Sequence, residues 1–346
     1  GNLTKKEGII SFPHAVATGA VAIADYNKDG LQDIFVGERN SNNTYGLPGS
    51  GYLFKNKGQQ QFERVNTPQF DNLGIITDAK WLDINNDDLL DLIVVGEWMP
   101  IIVFINTGDD FERQQVGLDK TRGLWNTILV HDFNNDGEDD IFVGNIGQNN
   151  ALNTRHKLYV HDFDGNGSVE QILGEQIGNK VYPSLDMDEL MSQLPSLKRK
   201  YIYYKDYAVA TMDQLFEPAL LEECSVLSLD ALESRLYFNR NGYFEQQKLP
   251  EELQYSSIHA ALAYDFDRDG DDDLLVGGND YLTKPQFGRD DASKAWLVLA
   301  NNREGTRSFD QVSALNMSGE IRDFELLDDH SILVGATNQR VRIFSF

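Results

Sequence analysis

The chain has 346 residues, of which 41% are hydrophobic and 25% charged, with a formal net charge of −25. That apolar content excludes a disordered chain. The acidity argues against nucleic acid and an anionic membrane surface as partners. No apolar run approaches the length of a membrane span, and a single cysteine, Cys224, rules out an internal disulfide.

In chain order, the first recognisable element is an apolar run, Ala20 to Ala24, followed by a nine-residue acidic loop over 25–33 and then Ile34-Phe35-Val36-Gly37. The same phrase returns with loops at 83–91, 132–140, 162–170 and 265–273. Side-chain oxygens stand at loop positions one, three, five and nine. They are Asp25, Asn27, Asp29 and Asp33; Asp83, Asn85, Asp87 and Asp91; Asp132, Asn134, Asp136 and Asp140; Asp162, Asp164, Asn166 and Glu170; and Asp265, Asp267, Asp269 and Asp273. Position seven adds a backbone carbonyl from Leu31, Leu89, Glu138, Ser168 or Asp271. A hard cation takes six to eight oxygens at short range, so the pattern predicts up to five Ca²⁺ sites. One such loop alone is equally an Asx-rich turn; five copies with an acid at position nine favour metal. Position six is Gly except for Asp88 in the second copy, which predicts a left-handed backbone there. The fourth loop, with Asn166 and the longer Glu170, reads as the weaker site.

The flanks are short β-branched and aromatic runs closed by Gly, so each loop joins two strands and is not an EF-hand. Third and outer strands follow, as in 51–56 with 61–65, 101–106 with 110–113, 234–239 with 243–245, and 296–301 with 308–310. Units of four strands predict an all-β chain folded as a β-propeller in one domain over 1–346. Inner strands near 20, 78, 127, 157, 260 and 319 give six blades, or seven if the irregular region 145–250 holds another. The last unit ends at its third strand, and Gly8 to Phe12 is expected to supply the outer one. Ser184, followed by acids and helically spaced apolar residues, predicts a helical insertion over 184–221 within the fourth blade.

The loops and strands resemble FG-GAP/VCBS repeats, as in integrin α-chain heads. Gly96-Glu97-Trp98-Met99-Pro100, Gly123-Leu124-Trp125-Asn126, Gly144-Asn145-Ile146-Gly147 and Gly288-Arg289-Asp290-Asp291 are similar to phrases of VCBS-repeat proteins of Bacteroidota, related to the ASPIC/UnbV and cartilage acidic protein group. The resemblance implies an extracytoplasmic, Ca²⁺-bearing propeller engaged in surface interaction or adhesion. Calcium loops point to the same compartment, where the ion is millimolar.

Two function classes remain open on the residues. The first is a calcium-stabilised binding module for a protein or glycan, without catalysis. The second is a propeller enzyme, hydrolase or lyase, or a glycan-binding protein, acting at the central channel. His131 and His161 each precede a loop at one register. Trp98, Trp125 and Trp296 are candidate stacking residues, and Arg289 a candidate ligand-facing cation. For each, a packing role is the more common alternative.

Overall fold

The computed structural model describes residues 10–284, 288–303 and 306–346. Its first sheet runs β1 (Thr18–Ala24), β2 (Asp33–Glu38), β3 (Gly51–Asn56) and β4 (Phe62–Arg64), antiparallel in chain order. The second repeats the order in β5 (Ile75–Leu82), β6 (Asp91–Met99), β7 (Ile102–Asn106) and β8 (Phe111–Gln114), and β9 (Gly123–Leu124) adds to β6. The third sheet opens with β10 (Thr127–His131) and β11 (Asp140–Gly144) and is then interrupted.

The interruption is itself a four-stranded sheet. It comprises β12 (His156–His161), β13 (Glu170–Ile177), β14 (Lys180–Pro183) and β15 (Ser225–Ser228), in the order β14-β13-β12-β15. Between β14 and β15 lie α1 (Met187–Gln193), α2 (Tyr204–Tyr207), α3 (Met212–Leu215) and α4 (Pro218–Glu223). Helix α1 is capped by Asp186, whose side chain accepts from the Glu189 amide at 2.8 Å. Ser184 was the expected cap; the acid two residues later takes the role because it reaches the third helical amide. The chain then returns to complete the third sheet with β16 (Arg235–Asn239) and β17 (Phe244–Gln247). The fourth sheet is β18 (Ile258–Tyr264), β19 (Asp273–Gly278), β20 (Trp296–Arg303) and β21 (Thr306–Ala314). The fifth has three strands, β22 (Ile321–Asp328), β23 (Ser331–Ala336) and β24 (Arg342–Ser345).

Face-to-face packing follows chain order, with the inner strands β1, β5, β10, β18 and β22 each against the next. The reason lies in strand alternation. Successive side chains point to opposite faces, and here both faces are apolar. In β6, Leu92 and Val94 pack towards the first sheet with Phe35 and Phe70, while Ile93 and Val95 pack towards the third with Ile128 and Ile141. Leu129 of β10 packs against the fourth sheet, and Leu262 of β18 against the fifth.

The structure departs from the expected order in two places. The unit beginning near 157 is not a member of the stack. One of its faces packs on the helices through Tyr159 and Ile172, and the other on Ile75, Trp98 and Leu124 through Leu158 and Val160. Sequence periodicity reports a strand's two faces but not its neighbour, so nothing in the strands at 235–239 and 244–247 signalled that they close the third sheet. Residues Ile10 to Phe12 do not extend the fifth sheet; Phe12 lies on Tyr52 and Phe54 of the first, with ring centroids 5.4 and 5.2 Å away. Gly8 and Ile9 of that expected strand lie outside the described residues.

Candidate functional site

The acidic loops share one internal wiring. The position-one carboxylate accepts two backbone amides: Asp25 from Asp29 and Gly30 at 3.0 and 2.8 Å, Asp132 from Asp136 and Gly137 at 3.1 and 2.9 Å, and Asp265 from Asp269 and Gly270 at 3.1 and 3.0 Å. Asp83 and Asp162 do the same in the second and fourth loops. Position five then accepts from the position-seven amide. These bonds curl the loop so that its remaining oxygens converge. The curl needs left-handed backbone at position six, where Gly30 has φ 83° and Asp88 adopts φ 66°. Position four is left-handed too, through Lys28, Asn86, Asn135, Gly165 and Arg268; no residue preference there had signalled it.

Position nine does something the spacing did not reveal. Asp33, Asp91, Asp140 and Asp273 are completely buried. Each accepts the amide of a third-strand residue: Asn56, Asn106, Asn239 and Ala300, at 2.7 to 2.8 Å. In the second to fifth loops the acid also accepts the position-two amide, at 2.9 to 3.0 Å. The acid is thus a latch between loop and sheet as well as a candidate ligand. Burial is the main cause that raises these carboxyls from an ordinary 3.8, to about 6 in Asp91 and Asp273 and about 7 in Asp140. Asp33 shifts in the same direction for the same reason.

Two loops bring three carboxylates within 4.8 Å of one another: Asp162, Asp164 and Glu170, and Asp265, Asp267 and Asp269. The fourth loop, read as the weaker, is one of these two, with an acid, Asp164, where the first three loops carry Asn27, Asn85 and Asn134. In the first loop, Asn27 Nδ2 donates to Asp33 at 2.7 Å while its Oδ1 is buried without a partner. A buried orphan acceptor among carboxylates fits a cation. These residues could hold a metal ion.

The opposite end of the stack carries a cleft of about 390 Å³. Residues at the starts of inner strands (Thr77, Asn126, His259) meet residues at the ends of second strands (Arg39, Glu97, Trp98, Asp280). Ile146 and Leu152, on the segment entering the inserted sheet, form one wall. Its charges are mutually satisfied. Arg39 pairs with Glu97, and the Tyr45 hydroxyl donates to Glu97 at 2.6 Å and accepts from Trp98 Nε1 at 2.9 Å. His259 Nε2 lies 2.9 Å from Asp280, and Arg322 holds the other oxygen of that carboxylate at 2.9 Å. Burial alone would raise Asp280; the hydrogen bond and charge of His259, with Arg322 behind, outweigh it and hold the carboxyl below its ordinary value. Burial, then Glu97, push the Tyr45 hydroxyl well up. Trp98 sits at φ 59°, a region that bulky residues avoid. Such strain tends to collect at functional sites.

The other candidates are scattered. Trp125 is fully buried, donating from Nε1 to Thr121 O at 2.8 Å, and offers no face to a ligand. Trp296 is half-buried against the core shared by the third and fourth sheets. His131 lies 2.7 Å from Asp272, at the loop end of the stack, and His161 stacks edge-on to Phe163 on the inserted sheet. The two histidines stand on different sheets, His131 on the third and His161 on the inserted one. Arg289 is exposed, over the ring of Tyr281. Of these, only Trp98 lines the cleft. Burial also raises the Cys224 thiol, ahead of Glu223.

With this geometry in view, comparison with known proteins gives the following. Residues 25–94 and 83–143 match the family of FG-GAP-like repeats. No curated protein matches the chain. A lectin of Agrocybe aegerita that recognises non-reducing terminal N-acetylglucosamine is 15% identical, with a TM-score of 0.28, over 85% of this chain. This chain spans 65% of the lectin's length. The periplasmic gluconolactonase of Pseudomonas aeruginosa is 12% identical, with a TM-score of 0.37, over 94% of this chain and 80% of its own. No helix among the described residues is long and apolar enough to cross a membrane. The chain is all-β and carries FG-GAP-like repeats across its first two sheets and into the third.

Proposed function

We propose that the chain is a calcium-stabilised, extracytoplasmic binding module without catalysis, whose ring of Asp loops is structural and whose ligand, a protein or a glycan, enters the cleft at the other end. The observation that carries this reading is the contrast between the acidic loops, where carboxylates of the fourth and fifth lie within 4.8 Å of one another and Asn27 Oδ1 of the first is buried without a partner, and the fully paired charges of the cleft. Calcium is favoured over zinc because the ligand set is entirely oxygen. Each independent site held at about a hundredfold its dissociation constant would add roughly 2.7 kcal/mol to folding. The test is the melting temperature of protein verified metal-free, with and without Ca²⁺. Recovery of several degrees on adding calcium supports the reading, and superimposable melts overturn it.

The His259–Asp280 pair supports a second reading, catalysis in the cleft, since a carboxylate that orients an imidazole is a common base arrangement. Reproducible turnover of a lactone or glycoside, lost in His259→Ala, would establish it.

A further inference from the structure

We propose that the inserted sheet carries a second ligand site, a cleft that binds an uncharged sugar. It shares no lining residue with the cleft beside Trp98.

Register builds the site. His156 of β12 stands opposite Glu175 of β13, and Glu175 stands opposite Tyr182 of β14. Residues opposite one another across a sheet point to the same face. The three side chains therefore form one row. Two residues along the same face, Leu158 and Leu173 join the core that holds Ile75 and Trp98. The row itself borders a cleft of about 560 Å³, which Asn153, Ile177 and Pro183 also line.

Each polar group of the row spends part of its capacity on the protein and keeps the rest. His156 is only 5% exposed. Its Nδ1 lies 3.1 Å from the Asn153 amide, which has no other acceptor among the described residues. Nδ1 therefore accepts, and the ring proton sits on Nε2. Burial lowers the pKa of the imidazole and keeps it in this neutral form. The Nε2–H has no partner among the described residues, yet it is not sealed off. Glu175 is used on one side only. Asn153 Nδ2 and Arg155 Nε donate to its Oε1 at 3.2 and 3.0 Å, and Oε2 is left without a partner among the described residues. Asn153, with Arg155, holds this carboxyl below its ordinary value against burial, so Oε2 stays an acceptor. The Tyr182 hydroxyl is unpaired as well among the described residues.

These groups select the ligand. Arg155 neutralises Glu175, and the imidazole is uncharged. A cation would meet a single carboxylate oxygen and an N–H dipole turned the wrong way; an anion would meet that oxygen head on. A hydroxyl can donate to a carboxylate and accept from an N–H at once, and the neighbouring hydroxyls of a sugar ring can serve Oε2, Nε2 and the tyrosine together. Ile177, 57% exposed, and Pro183 offer apolar surface to the C–H face of such a ring.

The test is saturation-transfer NMR on the full chain in calcium. The probes are the methyl glycosides of glucose, galactose, mannose, fucose, xylose and N-acetylglucosamine, with glucuronate as the anionic control. Transfer to at least one neutral glycoside and none to glucuronate is expected. Glu175→Gln, which turns the free acceptor into a donor, should weaken that affinity about tenfold. Ile177→Asp should weaken it too, on a side chain too exposed to matter to folding, so a folding defect in the first variant would not spoil the test. No transfer to any neutral glycoside, equal transfer to glucuronate, or an affinity unchanged in both variants overturns the proposal. A sugar whose binding is lost in Arg39→Ala and kept in Glu175→Gln occupies the cleft beside Trp98; that result overturns this site and leaves the reading of the other cleft standing.

Discussion

The two ends of the stack are both crowded with charge, yet they balance it in opposite ways. At the cleft, Glu97 has Arg39 and Tyr45, and Asp280 has His259 and Arg322. At the loops, carboxylates face other carboxylates, and the few cations that reach them, such as Lys55 at Asp29 and Arg307 at Asp271, come from neighbouring strands and meet one acid each. Like charges gathered in a fold destabilise it unless a counter-ion joins them. The cleft can stand alone; the loops call for an ion. Position nine sharpens the contrast, because those acids are buried and hydrogen-bonded to the sheet at once.

The largest expected effect follows from that latch. Asp140→Ala removes the acceptor of the Phe133 and Asn239 amides in a fully buried site. Leaving two buried donors unpaired should cost about 3 kcal/mol in urea denaturation. Asp136→Ala, in the same loop but exposed, should cost clearly less in metal-free protein. Equal losses would mean that position nine is a ligand and nothing more.

The pH dependence should change sign with calcium. Asp91, Asp140 and Asp273 take up protons near pH 6 to 7 when folded and near 3.8 when unfolded. The metal-free folded state thus binds more protons in that window, and its stability should fall as pH rises through it. Bound calcium favours the carboxylates and should reverse the trend. Melts at about pH 5.5 and pH 7.5, with and without calcium, read both signs. Parallel trends would contradict the assignment of these acids to the metal.

The cleft should respond least in stability. Arg39→Ala breaks an ion pair whose arginine is 45% exposed, so a change under about 1 kcal/mol is expected. Trp98→Ala, by contrast, removes a side chain that is only 6% exposed and leaves the Tyr45 hydroxyl short of a donor, so ligand binding and stability should fall together. Arg39→Ala is therefore the cleaner probe when glycans or proteins are screened for binding.

The loops were legible in the sequence because their curl, built on a position-one carboxylate that accepts two amides, sets Asp, Asn and Gly at fixed spacing. Asp88 in a glycine's place was legible for the same reason, and it does take the left-handed backbone. The strands were legible from their apolar runs. The neighbour of each strand was not, since β16 pairs with β11 across an insertion of about ninety residues. The cleft was invisible except for Trp98. Arg39, Tyr45, Glu97, His259 and Asp280 come from different sheets and form no local pattern; only the left-handed φ of Trp98, known from structure alone, marks the place. Trp125, in a similar Gly-rich phrase, was indistinguishable from it by sequence and proves to be core.

The most direct test of the loop assignment is to count the ions. Metal-free protein titrated with Ca²⁺ by calorimetry, with bound metal measured after dialysis, should take up several ions per chain, up to five. Asp265→Asn combined with Asp269→Asn should remove one of them, since these acids converge with Asp267. Protein that retains no calcium after dialysis against millimolar ion, or whose uptake is unchanged by that double substitution, would contradict the account.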